Sequence, residues 1–217
     1  DIISPLYFEA ISTATFVFPV AVGPVITIKF SFFLFDDIIL ICKICYLNLN
    51  NYIKFIEDTI IMSKYGQIIA IGGGGFGRNP NKPVIEEYIL KLSNTNKPKI
   101  AFFPTASAED KQYILNYYKA FSKFNCTPIN VSLFQKTHDL KKIIDQSDII
   151  YIGGGNTKSM LAVFRDWGLD KLLISAYKSG KILAGVSAGA ICWFNRGVTD
   201  SWAHGLRVMD CMDVLDG

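Results

Sequence analysis

Beyond residue 66 the chain repeats one unit: a short, mostly apolar run, a polar or glycine-rich turn, and a stretch with apolar residues at helical spacing. Gln67-Ile-Ile-Ala-Ile-Gly72 opens the series, Lys99-Ile-Ala-Phe-Phe-Pro104 follows, then Pro128 to Phe134, Asp148-Ile-Ile-Tyr-Ile-Gly153 and Lys181-Ile-Leu-Ala-Gly-Val186. A strand that is apolar on consecutive positions must be buried on both faces, which an antiparallel sheet with one wetted face does not provide. Between these runs, helices are expected from about Pro83 to Leu92, with Val84, Ile85, Tyr88, Ile89 and Leu92 on one face, over Glu109 to Phe124, over Asp139 to Asp145, after a cap at Asn156, and over Gly168 to Ser179. Strands alternating with helices in this way predict an α/β fold, an αβα sandwich around a mainly parallel sheet. In such a fold, ligands bind off the carboxyl ends of the strands.

Residues 1–61 differ. They hold three lysines against six acids, without steady helical or alternating periodicity, whereas 62–217 carries the ordered rhythm. Two parts are therefore expected: an atypical apolar extension over 1–61, read as upstream of a natural start at Met62, and an α/β domain over 62–217. Ile11 to Ile28 is uncharged over eighteen residues, but Pro19 and Pro24 interrupt it and Lys29, Asp36 and Asp37 follow, so no membrane span is expected.

With 217 residues, half of them hydrophobic, the chain can bury a sizeable core. Its net charge of +3 is scattered, with no Lys/Arg run longer than a pair, so no nucleic-acid partner is expected. Five cysteines, Cys42, Cys45, Cys126, Cys192 and Cys211, are irregularly spaced and odd in number, which suits reduced thiols in a cytoplasmic protein. Cys42-x-x-Cys45 has no second pair or histidines at ligand spacing, so no metal is expected.

Three loops at the expected carboxyl ends stand out. Gly72-Gly-Gly-Gly-Phe-Gly77 matches the glycine pattern of dinucleotide-binding turns, as any oligoglycine does. The polar stretch Arg78 to Pro83 delays the helix, and the second strand ends without the acid that would hold a ribose, so no cofactor is expected. Gly153-Gly-Gly-Asn-Thr157 is a tight turn into a helix that Asn156 can cap; Asn156 also stands where substrate would enter. Its glycines leave backbone N–H groups unobstructed at a helix start, where negative charge is favoured.

Gly185-Val-Ser187-Ala-Gly189 matches G-x-S-x-G between a buried strand and an apolar helical run, the setting of a nucleophile elbow. In that setting Ser187 Oγ projects over the sheet, and the Ala188 N–H, with those of Gly154 and Gly155, can bind an oxyanion. Met160, Phe164, Trp193 and Phe194 read as core.

Taken together, Ile71 to Gly75, Ile152-Gly-Gly-Gly-Asn-Thr157 and Gly185-Val-Ser-Ala-Gly-Ala-Ile-Cys-Trp-Phe194 resemble the peptidase E family of serine peptidases, which includes aspartyl dipeptidase and, more distantly, cyanophycinase. The resemblance runs over residues 62–217. It implies a fold like the class I glutamine amidotransferases, broadly flavodoxin-like, and a cytoplasmic peptidase acting on short peptides, including those with N-terminal aspartate. Ser187 would be the nucleophile, a histidine the general base and an acid its orienting partner. Asp200 lies where the family's acid can occur; Asp210, Asp213 and Asp216 read as surface residues. Of the two histidines, His138 lies in a polar loop and His204 after the elbow, whereas the family's base sits in a Pro-His segment further on, expected beyond Gly217. The expected partner is a peptide substrate, with room for a homodimer. The alternative is a non-catalytic or nucleotide-binding αβα protein that uses the same loops to hold a ligand.

Overall fold

The computed structural model describes residues 38–41, 66–136 and 139–215. Ile11 to Ile28, Cys42, Cys45, Met62, His138 and Asp216 lie outside them. The apolar runs form parallel strands: β1 (Ile38–Ile41), β2 (Gln67–Ile71), β3 (Lys99–Phe103), β4 (Thr127–Asn130), β5 (Ile149–Ile152) and β6 (Ile182–Val186). They make one six-stranded sheet in the order β1-β2-β6-β5-β3-β4. All its pairings are parallel. β1 comes from the stretch expected to stand apart, 1–61, and pairs with β2, Ile38 opposite Ile68.

Alternate residues of β2, β3, β5 and β6 enter two separate cores. Ile69, Ile71, Ile100, Phe102, Ile149, Tyr151, Ala184 and Val186 face α1 (Val84–Lys91) and α2 (Lys111–Phe121). Ile68, Ala101, Phe103, Ile150, Ile152 and Leu183 pack with α3 (Leu140–Gln146), α4 (Thr157–Asp166) and α5 (Leu169–Lys178). This is the expected αβα sandwich. Met160, Phe164 and Trp193 are fully buried, as read from the sequence. Burying an aromatic ring of this size contributes about 1.5–3 kcal/mol.

After β6 a short helix, α6 (Ala188–Ile191), leads to an antiparallel hairpin of β7 (Arg196–Thr199) and β8 (Arg207–Asp210). Beyond β8 the chain folds back on the residues behind α6: Met212 N–H donates to Cys192 O at 3.0 Å and Val214 N–H to Trp193 O at 2.9 Å.

Three local expectations change. α2 begins at Lys111, two residues later than expected, because Ala108 and Glu109 adopt left-handed φ of 53° and 58° and Asp110 caps the helix by accepting from Tyr113 N–H at 2.7 Å. β4 stops at Asn130, short of Phe134. The Glu109 carboxylate accepts the N–H groups of Leu133 (2.5 Å) and Phe134 (3.1 Å) and the Ser132 hydroxyl, so those groups leave the ladder. On α1, Val84 is 47% exposed while Glu86 is fully buried, a reversal explained by the hydrogen bond that Glu86 makes below the first glycine loop.

Candidate active site

The strand order puts β2, β6 and β5 side by side, so the three loops singled out above meet at one edge of the sheet. At the centre is Ser187, exposed, with φ 55° and ψ −112°. Such angles cost a non-glycine residue on the order of 1–3 kcal/mol, and persist only when the surroundings dictate them. Here they do: Ser187 N–H donates to Ile71 O at 2.8 Å, while its carbonyl accepts Ala190 N–H at 2.8 Å and Ile191 N–H at 3.1 Å to start α6. The chain is pinned to β2 on one side of Ser187 and coiled into a helix on the other. The hydroxyl itself makes no hydrogen bond among the described residues.

Gly185 and Gly189 allow the sharp turn by close approach. A Cβ on Gly185 would fall 2.0 Å from Gly189 O, and one on Gly189 would fall 2.2 Å from Ile152 O. The turn therefore rests directly on β5. The β5 loop touches the serine as well, since a Cβ on Gly154 would lie 3.1 Å from Ser187 Cβ. Gly155 is exposed and adopts φ 141°, with Ala106 O only 2.1 Å from where its Cβ would stand.

The expected oxyanion donors separate here. Ala188 N–H, at the first turn of α6, and Gly155 N–H have no acceptor among the described residues. Gly154 N–H instead donates to the Tyr113 hydroxyl at 3.4 Å. Asn156 commits its side-chain oxygen to capping α4, accepting Ser159 N–H at 2.9 Å, and its own N–H donates to Ala106 O at 2.7 Å.

Asp200 follows β7 and is exposed. The residues on either side of it tie the hairpin to the start of α4: Ser201 Oγ accepts Thr157 N–H at 3.0 Å and Thr199 Oγ1 lies 3.5 Å from Thr157 Oγ1. Asp200 is thus brought to the β5 loop side of the site. Lys158, one residue on, places its ammonium 4.3 Å from the Trp202 ring centre. His204 is exposed in the turn between β7 and β8.

The first glycine loop is organised differently. Phe76 is fully buried and its N–H donates to Glu86 Oε1 at 2.7 Å. Burial pushes the Glu86 carboxyl above the ordinary carboxylate range, while backbone hydrogen bonds pull the other way. Its second oxygen and the Tyr151 hydroxyl, both fully enclosed, have no partner among the described residues. Phe76 stacks on Tyr113 with centroids 5.1 Å apart. Cys192, behind the serine turn, donates to Gly189 O at 3.3 Å and is held protonated by burial, which leaves Ser187 as the turn's nucleophilic side chain.

Tyr113 and Glu86 are the polar groups missed in the sequence. A tyrosine at helical spacing among Tyr117, Tyr118 and Phe121 reads as core, and a glutamate beside Glu87 on an amphipathic helix reads as solvated face. Among the described residues there is no cluster of three or more His, Cys, Asp or Glu able to hold a metal, and no helix long and apolar enough to cross a membrane.

Known proteins resemble this chain in sequence and in fold. The sequence pattern of peptidase family S51 matches residues 68–215. The chain is 48% identical over 152 residues to the uncharacterized peptidase YgaJ of Bacillus subtilis, covering 70% of this chain and 66% of that protein. It is 30% identical over 113 residues to the uncharacterized peptidase Lin0382 of Listeria innocua, covering 51% and 54%. The chain thus spans from about half to just under two-thirds of the curated relatives it matches. Among solved structures, its fold is similar to that of a putative peptidase E protein from Listeria monocytogenes, with a TM-score of 0.50 at 22% identity over 60% of this chain and 69% of that one. It is also similar to a peptidase from an acI-B1 actinobacterium, with a TM-score of 0.56 at 15% identity over 69% and 65%. With a family match that spans β2 to the segment after β8, this chain belongs to peptidase family S51.

Proposed function

We propose that the protein is a cytoplasmic serine exopeptidase that cleaves short peptides, including dipeptides with N-terminal aspartate, with Ser187 on a nucleophile elbow. The observation that carries this reading is the backbone of Ser187: a left-handed φ of 55° on an exposed serine, fixed from both sides, at the edge where three strand ends meet. A fold tolerates such strain where geometry matters more than stability.

In the proposed reaction, Ser187 Oγ bonds to the scissile carbonyl carbon while its proton passes to a histidine. The carbonyl π electrons move onto oxygen, which the N–H groups of Ala188 and Gly155 stabilise. Collapse expels the amine, which takes the proton back, and water repeats the cycle on the acyl-enzyme. A histidine would be the general base, as the family resemblance implies, and Asp200 would orient it. Asn156 would border the peptide. An aspartyl side chain needs positive charge beside the site, which Arg78 on the first loop and Lys158 on α4 can offer. Three buried, unpaired thiols, Cys126, Cys192 and Cys211, suit a reducing compartment.

The test is hydrolysis by the full-length protein of a panel of dipeptides that includes aspartyl dipeptides. Turnover that falls by at least about 10³-fold in Ser187→Ala is the expected result. Equal turnover in both proteins would remove Ser187 from the chemistry.

A further inference from the structure

Tyr113 lies in the first turn of α2, at the junction of two of the three loops. Its ring is wedged between them: a Cβ on Gly77 would stand 2.7 Å from it, and one on Gly153 would stand 3.0 Å from it. Phe76 stacks on one side, and Phe102 meets it edge-on with centroids 5.2 Å apart. The backbone below is fixed by the Asp110 cap on Tyr113 N–H. These contacts leave the ring little freedom and aim its hydroxyl at Gly154 N, 3.4 Å away, in the loop that touches Ser187.

A tyrosine hydroxyl can accept hydrogen bonds and donates one. The Gly154 N–H occupies its acceptor side, while its own proton has no acceptor among the described residues. Accepting one bond strengthens the bond a hydroxyl donates. Burial, with a smaller effect from nearby Glu86, pushes its pKa up to about 12, so the proton is present at any working pH. Gly154 N–H, expected as a direct oxyanion donor, is already engaged.

We propose that Tyr113 is a catalytic residue whose hydroxyl donates a hydrogen bond to the oxyanion formed at Ser187, alongside the N–H groups of Ala188 and Gly155, with Gly154 N–H serving to orient and polarise it. The proposal rests on the serine peptidase reading above. It adds a side-chain donor to a site otherwise built from backbone. No proton is transferred: the oxyanion accepts the bond as the Ser187 Oγ to carbon bond forms and releases it when the carbonyl re-forms.

The experiment compares full-length wild type, Ser187→Ala and Tyr113→Phe on aminoacyl p-nitroanilides, aspartyl p-nitroanilide included, and measures inhibition by a peptide aldehyde. The aldehyde forms a tetrahedral adduct carrying the same oxygen. Loss of one oxyanion donor lowers kcat by about 10²–10³-fold. The expected result for Tyr113→Phe is a fall of that size in kcat, a KM within about 3-fold of wild type, and a matching loss of aldehyde affinity, with near-ultraviolet circular dichroism and thermal midpoint retained. A KM increase with unchanged kcat, or a kcat loss without loss of aldehyde affinity, would overturn the role of Tyr113. Wild-type kcat in Tyr113→Phe, with activity still dependent on Ser187, would overturn it while leaving the peptidase intact. Absence of Ser187-dependent turnover in the wild type would overturn both. Should Tyr113→Phe melt early, kcat and aldehyde affinity are measured well below its midpoint: loss of both together supports the donor, and retention of either contradicts it.

Discussion

Two glycine-rich loops, after β2 and after β5, look alike in sequence and have opposite fates. In Gly72 to Gly77 the chain turns inward: Phe76 is buried and its N–H is satisfied by Glu86. In Gly153 to Gly155 the chain turns outward, with Gly155 exposed, its N–H without an acceptor among the described residues and its backbone held against Ala106. The first loop packs into the core beneath the serine turn, and the second leaves the Gly155 N–H open beside it among the described residues. Glycine runs confer the freedom to do either, and the neighbouring side chains decide which: a glutamate reaching up from α1, or a serine turn pressing from β6. The inward turn also argues against the nucleotide-binding alternative, because the Phe76 N–H is not free to hold phosphate.

Substitutions can break this contrast, and the largest effect is expected at the second loop. Gly155→Ala sets a Cβ 2.1 Å from a backbone oxygen at φ 141° and should lower stability by about 3 kcal/mol or more, read as a fall in the urea midpoint. Gly74→Ala in the first loop, at φ 103° but with nothing nearer than 4.0 Å, should cost only the backbone strain, about 1–2 kcal/mol. Equal costs would erase the distinction.

Next is Glu86. Glu86→Leu leaves the Phe76 N–H unpaired in the core and should cost about 1–3 kcal/mol, whereas Glu86→Gln keeps an acceptor and should cost much less. Because burial raises the folded pKa of Glu86 above its unfolded value, the folded state binds the proton more tightly. Its contribution is most favourable below the unfolded pKa and is lost as pH rises through the folded one. Wild type should therefore lose stability relative to Glu86→Gln between acid and neutral pH. A difference that does not change with pH would show that Glu86 is not the titrating group.

Smaller effects belong to Ser187 and Asn156. Ser187→Gly should raise stability by about 1 kcal/mol, the relieved strain exceeding glycine's entropic cost, while abolishing activity. Asn156→Ala should cost about 1 kcal/mol through loss of the α4 cap.

Four strands were legible because they are apolar runs, three of them closed by Gly or Pro. β2, β3, β5 and β6 each lie within the expected stretch, and Asn156 caps its helix as expected. The sharp turn at Ser187 was legible through the glycines two residues either side of it. What escaped was set by contacts distant in sequence. β4 ends early because Glu109, more than twenty residues before, captures its next N–H groups. The strand order that gathers three loops on one edge is not encoded in any single segment. Tyr113 looked like core because most of it is core, and its chemistry resides in one hydroxyl that only the fold places beside Gly154.

The central claim, that Ser187 is an activated nucleophile, is tested most directly by covalent labelling. Full-length protein treated with a fluorophosphonate and mapped by peptide mass spectrometry should carry the label on Ser187, and Ser187→Ala should carry none. A folded protein left unlabelled, or labelled equally after that substitution, would contradict the account.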